Sequence, residues 1–344
     1  MHMADALISP IVGGAGWAAT LGLAGLSARN IKREADEMNV PLMAVGAAFV
    51  FSAQMINFTI PGTGSSGHVG GGLILTALLG PYSAFLAMIS ILTVQALFFA
   101  DGGMLALGCN VLNMAFFSCF IAYPLLFQPI VGKSPNRVRL TLASVIAAVV
   151  GLQLGAFGVV LETTLSGISA LPIGVFILFM QPIHLAIGVV EGLATAAVLL
   201  FVYHARPDAL HMSSEKKKFS GKLAIGFLVA ALTIGTMLSW FASQRPDGLE
   251  WSMEKTSGST ELETRNTGLH SLSTSIRKAI AFLPDYAFPA AEEAASDKAA
   301  PEQEDSWPAV DSGTSLAGVV GASFTLLIAG FIGFALKRRL SKKS

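Results

Sequence analysis

The chain has 344 residues, 53% of them hydrophobic and 13% charged, and Lys+Arg equals Asp+Glu at 22 each. A soluble domain carries about 25% charged residues, a disordered chain is poor in apolar residues, and a nucleic-acid binder has a basic excess, so all three are excluded. What remains is an all-α polytopic membrane protein, and the question is where its balanced charges sit.

The first residues carry no basic n-region, and Asp5 precedes the apolar run. They therefore do not read as a cleavable signal peptide. A bilayer core of about 30 Å takes about 20 apolar residues in a helix. Predicted spans run over 8–28, 40–60, 69–80, 83–100, 104–127, 138–160 and 171–204, then, after a polar gap, over 222–242 and 314–336. The third is short and ends at Gly80-Pro81. The seventh is interrupted at Gln181-Pro182, where a re-entrant or interfacial piece is expected.

Basic residues set orientation. They cluster at Arg29, Lys32 and Arg33; at Lys133, Arg137 and Arg139; at Arg206, Lys216, Lys217, Lys218 and Lys222; and at Lys337, Arg338, Arg339, Lys342 and Lys343. Placing all four clusters in the cytoplasm puts the N-terminus outside and the C-terminus inside, and it requires 69–80 to cross. The expectation is a seven-helix bundle followed by a two-helix module. The loop 243–313 between the last two spans is acidic and lies outside on this topology. Within it 291–306 reads as a flexible linker, while Trp251, Tyr286 and Phe288 point to ordered contacts elsewhere in the loop.

Candidate chemistry begins at Met1-His2. The bulk of His2 is expected to keep Met1 in place after translation. The amine and the His2 amide nitrogen then form a five-membered chelate, and the amide nitrogen and His2 Nδ1 a six-membered one. Planar nitrogen coordination of this kind suits Ni(II) or Cu(II), although a second-position His taken alone is commonly incidental. A fourth nitrogen is needed. Among the other histidines of the first unit, His68 shares the outer face with His2, His184 falls near the outer end of the seventh span, and His204 lies at the cytoplasmic end. His68 therefore leads and His184 follows.

Around His68 stands a literal G-x-G-x-x-G (Gly62, Gly64, Gly67). It follows a membrane helix rather than a strand, and no acidic residue sits about 20 positions on, so a dinucleotide site is rejected. The glycines are expected to let the loop fold back toward the N-terminus. Gln54, Asn57, Gln95, Asn110 and Asn113 in or near the spans, with Asp101 read as capping the outer start of the fifth, form a candidate outer shell orienting His2 and His68; helix–helix hydrogen bonding is the plainer alternative. Glu191 is an intramembrane carboxylate and hence a functional candidate, for conformational contact, packing, or steadying His184. Gly14, Ala18 and Gly22 form a small-residue face on the first helix, read chiefly as internal packing. The nucleotide loop G-x-x-x-x-G-K-[ST] is missing, so ATP would have to be used by partner chains.

Several strings together resemble the CbiM/NikM family of membrane components for cobalt and nickel uptake. They are Met1-His-Met-Ala-Asp-Ala-Leu-Ile-Ser-Pro10, Gln54-Met-Ile-Asn-Phe58, Ser66-Gly-His68 with Gly70-Gly-Gly72, Asp101-Gly-Gly103, Asn110-Val-Leu-Asn113 and His184-Leu-Ala-Ile-Gly-Val-Val-Glu-Gly192. The resemblance covers 1–205 as an S-component-like domain. After a cytoplasmic linker at 206–221, residues 222–344 resemble a PDGLE/CbiN/NikN-like module through Pro246-Asp-Gly-Leu-Glu-Trp251. It implies a substrate-capture subunit of an ATP-driven energy-coupling-factor importer in a bacterial cytoplasmic membrane. The transported Ni²⁺ or Co²⁺ would be held by the Met1 amine, the His2 amide and imidazole nitrogens and the His68 imidazole. It further implies a CbiQ/NikQ-like coupling subunit and CbiO/NikO-like ATPases as partners, with no resident cofactor, no enzyme activity and no nucleic acid. Two rivals are a gradient-driven secondary transporter using Glu191 as a proton relay, and an intramembrane metalloenzyme, for which no general base is evident.

Overall fold

The computed structural model describes residues 1–31, 40–206, 210, 221–262, 268–288 and 307–341. The 291–306 linker and much of the basic clusters, including Lys32, Arg33, Lys216, Lys217, Lys218, Lys342 and Lys343, lie outside the described residues.

The fold is helical. In chain order the helices are α1 Pro10–Asn30, α2 Val40–Gln54, α3 Gly72–Leu79, α4 Pro81–Phe98, α5 Leu107–Val131, α6 Arg137–Ser166, α7 Ile173–Ala205, α8 Gly221–Thr236, α9 Gly248–Ser257, α10 Gly268–Ile280 and α11 Ser312–Ser341. Among the described residues six of these (α1, α4, α5, α6, α7 and α11) are long and apolar enough to cross a membrane, against the nine spans expected. α2 and α8 have 15 and 16 residues, about 23–24 Å of helix. α3 has eight, about 12 Å, and cannot cross alone. The reason lies in what precedes it. The chain before α3 folds into the bundle rather than staying in an outer loop, so α3 begins in the protein interior, and all eight of its residues are buried.

α1 starts where a helix should: Ser9 accepts from Val12 N–H as N-cap, and Pro10 occupies the first turn. α7 also departs from expectation, because it runs unbroken through Pro182. The carbonyl of Gln181 is satisfied from α6, where Gln153 Nε2 donates at 2.8 Å, and α6 and α7 pack along their lengths. No re-entrant piece forms.

Close helix approaches use glycine, but not the ones expected. Gly14 and Gly22 meet nothing, and with Ala18 they form an exposed face. Gly13 and Gly16 on the opposite side seat α1 against Leu105, Gly108 and Cys109. The reading of Gly14, Ala18 and Gly22 as internal packing is thus corrected. The C-terminal helices α8 and α11 pack on α2. There a Cβ on Gly318 would collide with the Gly235 carbonyl, and one on Gly321 with Phe51. α2 is consequently enclosed, with Phe49, Val50 and Phe51 all buried, which explains why a short helix is stable there.

Candidate metal site

The N-terminal segment is held by its backbone. Met3 N–H donates to Asn110 Oδ1 (2.8 Å), and Asn110 Nδ2 donates back to Met3 O (3.1 Å), which also accepts from Gly103 N–H (2.9 Å). One amide side chain thus reads both polar groups of one residue, and Met3 is fully buried. Next, Asp5 Oδ1 accepts from Leu105 and Ala106 N–H at 2.9 and 3.0 Å, satisfying the approach to α5. This is a correction: Asp101 does not cap that helix, and Asp5 takes the role across the fold.

The His68 loop arrives from the other side. A two-residue ladder pairs Phe58 with Gly67 and Thr59 with Ser66. Gly67 then slides against Ile187, where a Cβ would lie 2.6 Å from the side chain, and Gly70 passes Glu191, where a Cβ would lie 3.1 Å from the carboxylate. Gly71 turns the chain into α3 at φ 74°. Gln54 Nε2 holds Gly70 O (2.8 Å), and Glu191 Oε1 accepts Gly71 N–H (3.1 Å). The glycines do what the sequence suggested, and Glu191 anchors the loop that carries His68.

These two segments bring His2 and His68 together, with ring centroids 5.2 Å apart and planes 19° from parallel. His68 Nδ1 lies 3.3 Å from Val69 O, which assigns the ring proton to that nitrogen. Nε2 is buried and has no hydrogen-bond partner among the described residues. A buried acceptor without a donor is costly, and an imidazole lone pair left open in this way is suited to a metal.

The His2 ring is oriented by an amide relay. Gln54 Nε2 is committed to Gly70 O, so Gln54 Oε1 accepts from Gln95 Nε2 (2.9 Å), leaving Gln95 Oε1 to accept from His2 Nε2–H (3.2 Å). The relay fixes the tautomer and leaves Nδ1 for other use. Nδ1 lies 3.2 Å from Asp101 Oδ1, so two acceptors face each other, an arrangement that a proton or a cation between them satisfies, and Asp101 Oδ2 accepts from Tyr286 OH at 2.6 Å. Burial pushes the His2 imidazole below its ordinary range. Burial, reinforced by the N-terminal ammonium and His2, lowers His68 to about 3. Both rings are therefore biased toward the neutral form, the form in which an imidazole can take a metal.

A cavity of about 20 Å³, room for one atom-sized guest, is lined by Met1, His68, Asn113, His184, Glu191 and Asp247 among others. Of the residues singled out from sequence, Met1, His2, His68, Gln54, Gln95 and Asp101 come together here. Asn113 lines the cavity and donates to Glu162 at 2.6 Å. His184 lines it too, its Nδ1 bonded to Met180 O one turn back (2.8 Å). Asn57 does not belong: its carbonyl accepts Ser243 N–H (2.7 Å) at the outer rim.

Sequence reasoning missed Asp247 and Glu162, whereas Tyr286 makes the ordered contact expected of it, on Asp101. Asp247 Oδ2 pairs with the Met1 amine at 3.1 Å. The P-D-G-L-E string now reads as structure. Pro246 O accepts from Ser66 N–H of the His68 loop (2.8 Å). Asp247 is the N-cap of α9, and Glu250 closes a capping box. Gly248 presses on His184, where a Cβ would meet Cε1 at 3.0 Å, and Leu249 is buried. Burial opposes the charge on Asp247, but the N-terminal ammonium and the α9 amides outweigh it and hold its carboxyl well below the usual range. The D-x-x-E spacing signalled a helix start; where that start would dock was not legible.

The family model for the cobalt uptake substrate-specific transmembrane region, CbiM, matches residues 2–209. This chain belongs to the CbiM family. The PDGLE domain model matches residues 221–338. A protein of Archaeoglobus fulgidus carrying the name fused nickel transport protein NikMN is 32% identical over 338 residues, 98% of each chain. The fused nickel transport protein NikMN of Rhodobacter capsulatus is 31% identical, over 61% of this chain and 64% of its own. A crystal structure of a truncated transition metal transporter superposes with a TM-score of 0.52 at 30% identity, covering 60% of this chain and 99% of that one. This CbiM-type protein is accordingly a nickel/cobalt transport component with multiple membrane-spanning helices, a transporter subunit rather than an enzyme.

Proposed function

We propose that the protein is the substrate-capture subunit of an ATP-driven importer of the energy-coupling-factor type for Ni²⁺ or Co²⁺, working in a bacterial cytoplasmic membrane. It takes the metal at the outer face, with the N-terminus outside and the C-terminus in the cytoplasm. The ligands are the Met1 amine, the His2 amide nitrogen, His2 Nδ1 and His68 Nε2. The observation that carries this reading is the buried, unpartnered His68 Nε2 beside the His2 ring.

Capture exchanges partners. Before the metal arrives, Asp247 holds the Met1 amine and Asp101 faces His2 Nδ1. The metal replaces both carboxylates and displaces the ligand protons. Planar nitrogen ligation favours nickel slightly, with selectivity over copper resting on geometry and availability. A CbiQ/NikQ-like membrane subunit and CbiO/NikO-like ATPases supply the energy and rearrange the loaded subunit. Glu191 accepts from Gly71 N–H, which supports an anchoring role over the proton relay that a gradient-driven carrier needs.

The test is metal loading of purified protein with His2→Ala or His68→Ala. Either variant is expected to lose stoichiometric metal by elemental analysis; full loading in both would remove the site from consideration.

A further inference from the structure

α10 does not belong to the metal site, yet its surface is divided in an unusual way. It spans from the outer end of α1 to the outer end of α4. His270 Nε2 bonds Ile8 O (2.9 Å), and Ser273 Oγ donates to Asp5 Oδ2. Just past its end Asp285 N–H donates to Phe99 O (2.8 Å). At 3.6 residues per turn the side chains of α10 fall into three sectors. One, with His270, Ser273 and the half-buried Arg277, faces the protein. A second, with Ser271, Ser275 and Lys278, is polar and exposed. The third is an apolar arc about 100° wide, made by Leu269, Leu272, Ile276, Ala279 and Ile280. Its leucines are left open, Leu269 at 52% and Leu272 at 54%, and Phe282 follows at 43%.

A helix bonded to protein on one side needs only two sectors if water covers the rest. The third needs an apolar neighbour, and depth says which. From Pro10 to Arg29 α1 rises about 28 Å, nearly the full core thickness, so Ile8 and the α10 segment bonded to it stand at the outer boundary. Phe282 packs on Phe98 and Phe324, with centroids 5.8 and 6.5 Å away. From Phe324 down to the basic end at Lys337 α11 rises only about 20 Å, short of the core thickness of about 30 Å. Phe282 therefore sits below the outer boundary, and the apolar arc continues the lipid-facing surface of the bundle. Lys278, exposed in the last turn beside the apolar arc, suits a phosphate headgroup.

We propose that α10 is an interfacial helix whose Leu269–Leu272–Ile280 face inserts into the outer leaflet at the headgroup–acyl boundary, tethering the extracytoplasmic loop to the membrane beside the N-terminal segment. The test uses the full chain in phospholipid nanodiscs. Leu272→Cys is labelled with a small fluorophore, and Ser275→Cys serves as the water-sector control; both native cysteines, Cys109 and Cys119, are buried. Nitroxide-bearing lipid is expected to quench the label at 272 about threefold more strongly than at 275, with aqueous iodide showing the reverse order, as for a helix lying in the interface. Equal iodide access at the two positions overturns the proposal. So does shielding of 272 from both quenchers, which would assign the face to a protein partner. Leu269→Cys repeats the measurement should Leu272→Cys fail to fold.

Discussion

The two halves of this chain meet twice, by opposite means. Within the membrane region α8 and α11 lie on α2 through glycine contacts, with no charge involved. At the end of the bundle that carries Met1 the same C-terminal module touches the first unit through polar groups: Asp247 on the Met1 amine, Tyr286 on Asp101, and Pro246 O on Ser66. The apolar contact holds the module in place. The polar contact reaches the candidate ligands, so it is the one a metal can change. The difference teaches that the module is not an appendage beside the candidate site, because its carboxylate holds the Met1 amine.

Substitutions at four positions break or sharpen that contrast. The largest effect is expected from Gly248→Val. No Cβ fits between Gly248 and His184, so α9 should undock and metal affinity should fall by about 100-fold, the upper end for loss of supporting contacts. Titration calorimetry checks this. Gly321→Val, which drives α11 against Phe51 of α2 and so wedges the membrane contact instead, should lower the melting temperature by several degrees, a cost of about 1–3 kcal/mol from overpacking, with the affinity of the folded fraction unchanged. Gln95→Leu removes the acceptor that fixes the His2 tautomer and should weaken binding about 10-fold. Asp247→Ala loses both the pairing with Met1 and the N-cap, whereas Asp247→Asn restores a good cap without the charge. If charge is what organises the amine, both variants should weaken binding about equally, by about 10-fold, and thermal melts alone should tell them apart.

Acidity probes the site differently. His68 is lowered to about 3 from an ordinary 6.5, so the folded chain binds fewer protons there than the unfolded one. Its contribution is present above pH 6.5 and is lost as pH falls from about 6.5 toward 3. Metal-free protein should therefore lose stability across that window, as seen in denaturant melts at stepped pH, and His68→Gln should flatten the slope.

Much of this was legible in the residues. Met1, His2 and His68 were named from chelate geometry and shared topology, and the glycines around His68 from backbone freedom. The long apolar helices were plain from length and hydropathy. What was not legible was everything decided by packing at a distance. Nothing local distinguishes Gly13 from Gly14; only the presence of Leu105 and Gly108 does. The 69–80 segment looked like a span because burial in protein and burial in lipid select the same residues. Asn57 and Asn113 looked alike, yet one reaches the rim and the other the cavity. Asp247 lay 246 positions from the amine it meets.

The central claim is that the terminal amine itself is a metal ligand, and one comparison addresses it directly. Protein beginning at Met1 and protein carrying a histidine-free tag of several residues ahead of Met1, both verified by intact mass, are loaded with Ni²⁺ and assayed by elemental analysis. The account predicts about one metal per chain in the first and near none in the second, because the tag moves the free amine away from the His2 amide and out of its five-membered chelate ring. Equal loading of the two proteins would contradict it.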